Sequence, residues 1–249
     1  MIVQDEAIVL RVRDYSETSQ IAALWTRGHG RVMGIAKGVR RDKRASFDGP
    51  FEPACRYEVG FYPRARGEGL CILSESSLAE RYPSVRDSLE GWWAFSEAAE
   101  AVLLLTQEMD AHPEVMESLD RLLSGGPLSS FQMSLLDATG HAPALDRCAG
   151  CGARLPEGDR AEFAFWVGGA VCPDCARGAG PVAVLPSEMR AVLRAGGAAR
   201  FQRPVEALLG RHVSHLAGEG LEVPACRERS RRALQRLRKG AESGTVGAP

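Results

Sequence analysis

The chain has 249 residues, which is more than one hydrophobic core usually serves and predicts two or three small domains. Its composition, 45% hydrophobic and 25% charged, is that of an ordinary globular protein and excludes global disorder. The formal net charge of −1 excludes a uniformly polycationic or polyanionic protein.

The chain start, MIVQDEAIVLRVRD, places acidic Asp5 and Glu6 where a secretory signal would be basic or apolar. Elsewhere no stretch reaches the ~18 uninterrupted apolar residues that a membrane span requires. We therefore expect a cytoplasmic protein without a membrane anchor. In that compartment thiols stay reduced, so a dense cysteine cluster favours metal binding over disulfides.

Residues 1–82 read as about five short β-strands, because apolar and aromatic runs alternate with glycine-rich turns. Five strands in this length favour a small closed barrel over an open sheet with exposed edges. The neighbouring aromatic residues could stack on bases, but they more often fill the core of such a barrel. They are Trp25, Phe47, Phe51, Tyr57, Phe61 and Tyr62.

Charge is strongly segregated along the chain. Residues 27–44 hold seven cations and one acid, residues 81–147 hold four cations and eleven acids, and residues 227–249 hold seven cations and two acids. On a barrel of OB type, a basic loop favours salt-dependent contact with DNA phosphates over mere solubility. The predicted phosphate contacts of this loop are Lys37, Arg40, Arg41, Lys43 and Arg44.

After residue 83 the hydrophobic period becomes helical. The first predicted helix starts near Ser84 as its cap and contains Trp92, Trp93 and Phe95. Further helices are predicted over 113–123, 129–139, 187–194 and 204–219. The final stretch, GAESGTVGAP, is small and polar and predicts disorder.

Two Cys-x-x-Cys pairs lie in the segment CAGCGARLPEGDRAEFAFWVGGAVCPDCA. Cys148, Cys151, Cys172 and Cys175 have the spacing of a structural Zn²⁺ site, which four thiolates would fill without leaving a position for water. Two redox pairs, or merely buried cysteines, remain as alternatives. Cys55, Cys71 and Cys226 have no partner at ligand spacing and are interpreted as buried or incidental.

Together these patterns predict an α+β protein with an N-terminal small β-barrel, followed by an α-helical domain that is interrupted by a four-cysteine module. The predicted boundaries are a barrel over 1–82, a helical domain over 83–147 and 179–223, the module over 148–178, and a partly disordered basic extension over 224–249. No nucleophile elbow, phosphate-binding glycine loop or His-Glu-x-x-His helix is present, so we expect no enzyme.

The order of these parts resembles the bacterial RecO family of DNA repair proteins. The resemblance rests on LRVRDYSETSQIAALWTRGHGRVMGIAKGVRR, LLDATGHAPALDRCAGCG and GGAVCPDC, and it runs from Ile2 to about Leu221. It departs at Ala138 and Thr139, where the family usually has larger apolar residues, and in the basic tail beyond Pro224.

The resemblance implies an N-terminal OB-fold β-barrel, an α-helical domain that carries a four-cysteine zinc module, and Arg27 and Arg31 as cations that assist the basic loop in DNA binding. It also implies a recombination mediator that binds single- and double-stranded DNA without sequence specificity and anneals complementary strands. It further implies RecR and single-strand-binding protein as partners, a functional link to RecA, and one structural Zn²⁺. Two other hypotheses remain open. One is a zinc-stapled adaptor that mainly binds proteins, and the other is a nuclease or redox enzyme.

Overall fold

The computed structural model describes residues 1–41, 46–64, 69–156, 158, 160–177, 180–195 and 201–218. The first part of the chain forms five strands: β1 (Val3–Asp14), β2 (Gln20–Thr26), β3 (Gly30–Ala36), β4 (Cys55–Tyr62) and β5 (Cys71–Arg81). They close into a barrel in the order β1-β2-β3-β5-β4, where β3 and β5 pair in parallel. The predicted OB-fold barrel is therefore confirmed.

The inside of the barrel is filled by alternate residues of the strands, as the two-residue period of a β-strand requires. Phe47, Phe51, Tyr57 and Phe61 are buried in this interior, which confirms the core interpretation for them. Trp25 is also fully buried, but it packs on the outside of the barrel against the helices. Of the six aromatic residues named from the sequence, Tyr62 differs, with 43% of its surface exposed.

The helical body begins with four helices: α1 (Pro83–Arg86), α2 (Leu89–Leu105), α3 (Pro113–Leu123) and α4 (Leu128–Ala138). The predicted cap at Ser84 is wrong, because the long helix begins at Leu89 and its cap is Ser88. The Ser88 hydroxyl accepts a hydrogen bond from the Gly91 amide at 3.1 Å, while the Ser84 hydroxyl donates to the Leu123 carbonyl.

The cysteine segment follows α4 and contains a small sheet that the sequence did not predict. Its elements are β6 (Ala161–Ala164), β7 (Gly169–Val171), α5 (Pro173–Ala176) and β8 (Val182–Leu185), with strand order β7-β6-β8. The body is completed by α6 (Ser187–Arg194), which agrees with the predicted bounds, and α7 (Gln202–Leu216).

One continuous apolar core joins the helices, the small sheet and the outer side of the barrel. Ile8, Leu10 and Trp25 on the barrel belong to the same cluster as Phe131 of α4 and Phe163 of β6. The strands of the barrel therefore have two apolar faces: one fills the barrel interior, and the other is covered by the helical body.

Polar contacts reinforce the junction between barrel and body. Arg56 of β4 pairs with Glu6 at 3.2 Å, with Glu80 at 2.6 Å and with Asp120 of α3 at 3.3 Å. Asp120 also accepts a hydrogen bond from the Tyr82 hydroxyl. Because these charges share partners from both parts of the molecule, they fix the orientation of α3 on the barrel.

The remaining predictions concern the isolated cysteines, the C-terminal extension and membrane-spanning segments. Cys55 and Cys71 are buried, as interpreted from the sequence, whereas Cys226 and the extension 224–249 lie outside the described residues. Within the described ranges, no helix has both the length and the apolar character needed to cross a membrane.

Candidate nucleic-acid interface and metal centre

The segment after β3 carries three exposed cations, Lys37, Arg40 and Arg41. The Arg40 amide donates to the Thr18 carbonyl at 3.2 Å, and its guanidinium pairs with Asp14 at the end of β1. These contacts hold the basic segment against the turn between β1 and β2, at one rim of the barrel. Two further predicted cations lie outside the described residues: Lys43 and Arg44.

The two predicted cations nearest the β2–β3 turn are already engaged within the protein. Arg27 pairs with Glu6 at 2.7 Å, and this hydrogen bond raises the pKa of the Arg27 guanidinium. Arg31 donates to the Leu103 carbonyl of α2 at 3.0 Å, and its own carbonyl accepts from the Met109 amide at 3.0 Å. The structure therefore places Arg31 at the junction between barrel and body and not with the basic segment of Lys37, Arg40 and Arg41.

Sequence reasoning missed a row of side chains that crosses the outside of the barrel. Strand pairing aligns Arg13 with Ile21, Ile21 with Ile35, Ile35 with Ile72, and Ile72 with Tyr62. Directly paired residues present their side chains on the same face of a sheet. Phe61, which precedes Tyr62, and Leu73, which follows Ile72, fill the barrel interior. Because successive residues of a strand face opposite sides, the row faces outward.

The row has a buried apolar middle and aromatic and cationic ends. Ile21 and Ile35, in the middle, are only 3% and 8% exposed. Tyr62 lies at one end of the row, while Arg13 lies at the other, close in sequence to Tyr15, which is 64% exposed. Exposed aromatic rings and nearby cations are the combination with which OB folds stack bases and contact phosphates of single strands.

A β-bulge in β1 determines which residues reach this surface. Pairing with β2 shifts register between Val9 and Arg11. Ile8, before the shift, and Leu10, at the bulge, face the helical body, whereas after the bulge Arg11 is exposed and Val12 packs on the barrel interior. The alternation in LRVRDY was the available signal, but the bulge was needed to tell which face each residue takes.

The structure brings all four predicted metal ligands together. The sulfur atoms of Cys148, Cys151, Cys172 and Cys175 lie within 4.8 Å of one another, and those of Cys151 and Cys172 are 3.9 Å apart. A tetrahedron of sulfurs about 2.3 Å from a zinc ion has edges of about 3.8 Å. The four thiols therefore fit a tetrahedral metal ion and would leave it no open position.

Backbone amides prepare one thiol of this cluster for metal binding. Burial alone would raise the pKa of Cys148, but amide hydrogen bonds from Cys172, Cys151 and Gly150 outweigh it and lower that pKa to about 6. The Cys172 amide donates to the Cys148 sulfur at 3.3 Å. The neighbouring thiols instead raise the pKa of Cys175 to about 12, since they favour its protonated form. A bound metal ion would take the place of the protons on these thiols, because cysteine binds metal as the thiolate.

The fold positions the two cysteine pairs on different local elements. Cys148 is buried in the main core and precedes a turn closed by a hydrogen bond from the Gly152 amide to the Cys148 carbonyl at 2.8 Å. Cys172 follows β7 and caps α5, so that Cys175 lies one helical turn further on. A metal ion held by all four sulfurs would join the turn after Cys148 to the start of α5, which is the role of a structural metal.

These features define a class of protein: an OB-fold barrel with a cationic and aromatic outer surface, joined to a helical body with a cluster of four cysteines at metal-binding distance. Comparison with known proteins agrees with this class. The family model described as "Recombination protein O N terminal" matches residues 1–82, and "Recombination protein O C terminal" matches residues 87–208.

Relatives cover most of the chain. A protein named "DNA repair protein RecO" from Geobacter sulfurreducens is 32% identical over 207 residues, or 80% of this chain and 82% of that protein. The proteins of the same name from Streptomyces avermitilis and Streptomyces griseus are 34% and 31% identical, and cover 77% and 95% of this chain and 80% and 98% of their own lengths. The chain belongs to the RecO family of DNA repair proteins.

Proposed function

We propose that the protein is a non-catalytic recombination mediator that binds DNA along the outer surface of its barrel. The observation that carries this proposal is the outward row from Arg13 to Tyr62, which lies across the strands beside the basic segment of Lys37, Arg40 and Arg41. Bases would stack on the exposed tyrosines, and the cations would contact phosphates without reading sequence.

Family membership supports the further steps of this function. The protein would anneal complementary strands and, together with RecR, help RecA replace single-strand-binding protein. Annealing requires no covalent chemistry, because two polyanions associate once cations offset their repulsion. The structure supplies such cations on an exposed rim, which is consistent with contact to single- and double-stranded DNA.

The metal site would hold one Zn²⁺ through Cys148, Cys151, Cys172 and Cys175. When bound, the ion supplies cross-linking between the first cysteine turn and α5, with no catalytic position left open. Its role in the proposed function is to maintain the part of the body that packs on Phe163 and Cys148.

The proposal predicts DNA binding that is steeply salt-dependent. Replacing Lys37, Arg40 and Arg41 with alanine should lower the magnitude of the salt slope for a single strand by up to about 2, because each lost phosphate contact contributes about 0.7. Replacing Arg11 and Arg13 should lower it by up to about 1.4. Fluorescence anisotropy with a labelled strand of roughly 30 nucleotides, over a salt series, measures both.

A control separates local contacts from overall charge. Arg81→Ala with Arg121→Ala removes two exposed cations that contact Glu52 and the Glu117 carbonyl, away from the barrel row, and should leave the slope unchanged. Unchanged DNA affinity in folded variants that lack the cations of the basic segment or of β1 would reject the proposed DNA-binding surface. Absence of DNA binding by the unmodified protein, together with tight binding to RecR, would instead favour the adaptor hypothesis.

A further inference from the structure

Two arginines lie side by side on the cysteine module. Arg147 and Arg154 are direct partners in an antiparallel β-bridge. The bridge is flanked by hydrogen bonds from the Cys148 amide to the Ala153 carbonyl at 2.7 Å and from the Leu155 amide to the Asp146 carbonyl at 3.2 Å. This is the pattern of a non-hydrogen-bonded pair, in which opposite side chains come closest.

The arginine pair points away from the metal site. Residues next to each other on a strand face opposite sides, so Arg147 and Arg154 face away from Cys148 and Leu155. Cys148 and Leu155 are 2% and 8% exposed and belong to the main core, while both arginines are exposed. The pair is therefore on the solvent side of the ribbon, and neutralising the thiolates does not account for its position.

No carboxylate in the described part of the chain pairs with either guanidinium. Arg147 donates to the Gly152 carbonyl at 3.2 Å, and the nearby Asp146 pairs with Arg194 of α6 instead. Like charges directly opposite each other destabilise a β-bridge, so an external anion would relieve a cost that no carboxylate among the described residues offsets. The turn between them, residues 149–153, consists of Ala, Gly and Cys, so no large side chain of this turn stands in the way of a phosphate.

We propose that Arg147 and Arg154 form a second phosphate-binding site, which holds a second DNA strand while the barrel holds the first. This inference rests on the proposed function, since it assumes that the barrel binds DNA. A nucleic-acid backbone fits the site better than an acidic peptide does. Peptide docking relies on apolar anchors, and none of the large exposed apolar side chains in the described residues lies between 146 and 156.

The test compares binding of one strand with annealing of two. The variant Arg147→Ala with Arg154→Ala should bind a 12-nucleotide single strand within about twofold of the unmodified protein, because that length is roughly one OB-fold footprint. It should anneal complementary strands of roughly 40 nucleotides about tenfold more slowly at about 0.1 M salt, since two phosphate contacts are lost. Anisotropy measures the first quantity, and fluorescence transfer between labelled strands measures the second.

The matched control removes the same charge from the same module. Arg160→Ala with Arg177→Ala should leave annealing unchanged, because Arg177 pairs with Asp174 and neither lies in the bridge. Metal content and thermal unfolding are measured for both variants, and each should equal that of the unmodified protein.

Several outcomes would overturn the second site. These are annealing at the unmodified rate in the bridge variant, an equal loss in the control variant, or slower annealing that accompanies loss of metal. Unchanged annealing with weaker binding to a polyglutamate peptide would assign the pair to a protein partner and overturn the DNA assignment. If the unmodified protein fails to bind the 12-nucleotide strand, the proposed function fails, and that result is distinguishable from all of these.

Discussion

His212 is a buried titratable residue at the centre of the junction between α7 and the cysteine module. It is 1% exposed, its ring packs edge-on against Phe163, and its Nε2 donates to the His141 carbonyl at 3.3 Å. Burial lowers the pKa of His212 below its ordinary value of 6.5, because a charged imidazole would be desolvated there.

The depressed pKa predicts acid sensitivity of the helical body. When a histidine has a lower pKa folded than unfolded, the unfolded state binds more protons as the pH falls below about 6.5, so the free energy of unfolding decreases. His212→Gln keeps a donor for the His141 carbonyl and removes the titration, so it should flatten this dependence between about pH 7 and pH 5. Urea unfolding at a series of pH values measures the effect.

The neighbouring helix residue provides the control for that prediction. His215 is exposed on the same helix, and His215→Gln should retain most of the pH dependence, because burial and not the nearby His215 is the main cause of the low pKa of His212. An unchanged dependence in His212→Gln would contradict the assignment, because the acid sensitivity would then arise from other groups.

At the level of single elements, the β2–β3 turn determines how closely the barrel meets the body. Gly30 begins β3 with a φ of +64°, and a Cβ there would lie 1.8 Å from the Asp110 carbonyl oxygen between α2 and α3. The position requires glycine both for its backbone conformation and for the close approach of a second backbone.

Gly30→Ala should therefore destabilise the protein by about 3 kcal/mol or more, because backbone must move in addition to the left-handed strain. Gly140→Ala is the matched control: Gly140 has a φ of +74°, and its Cβ would meet nothing within 4 Å. It should cost about 1–2 kcal/mol, the strain alone. Equal losses in chemical denaturation would show that the contact with Asp110 contributes nothing.

The elements that the sequence predicted well are those with local signals. α3 starts at Pro113 and α6 covers Ser187–Arg194 as predicted, because a proline start and an apolar face of period 3.6 are encoded nearby. The small sheet escaped prediction because β7 has three residues, too few to establish a two-residue period. The start of α2 was misplaced, since Ser84 and Ser88 are both acceptable caps and tertiary packing decides between them.

The candidate sites show the same division between local and non-local information. The four cysteines were predicted in full, because metal geometry constrains spacing within each pair. The outward row was not, because it depends on the pairing of five strands and on the bulge beside Leu10. Because of its charge, Arg31 was grouped with the other cations of residues 27–44. Its hydrogen-bond partner, the Leu103 carbonyl, is 72 residues away in sequence, so no local pattern could reveal the contact.

At the scale of the whole molecule, the four-cysteine cluster connects the small sheet to the common core. Removing the metal should unfold the module and destabilise the helical body, because the free energy of metal binding is free energy of folding in such sites. We expect one Zn²⁺ per chain by elemental analysis, and a lower midpoint of thermal unfolding after chelation.

A single substitution tests the metal without a large packing cost. Cys151 is the exposed member of the cluster, so Cys151→Ser should lose the metal while removing little buried surface, whereas Cys148→Ser should also disturb the core. Full stability of metal-free Cys151→Ser would show that packing alone maintains the module. Retention of stoichiometric metal would contradict the four-thiolate site.

The long strand β1 gives the molecule mechanical continuity. Its first half adheres to the helical body through Ile8 and Leu10, and beyond the bulge its second half carries Arg11 and Arg13 on the open surface. A pull applied to a nucleic acid bound there would travel along one covalent strand into the body without crossing a hinge. If the proposed surface holds DNA, the apolar contacts of Ile8 and Leu10 with the body would therefore bear that load, and not the basic segment after β3 alone.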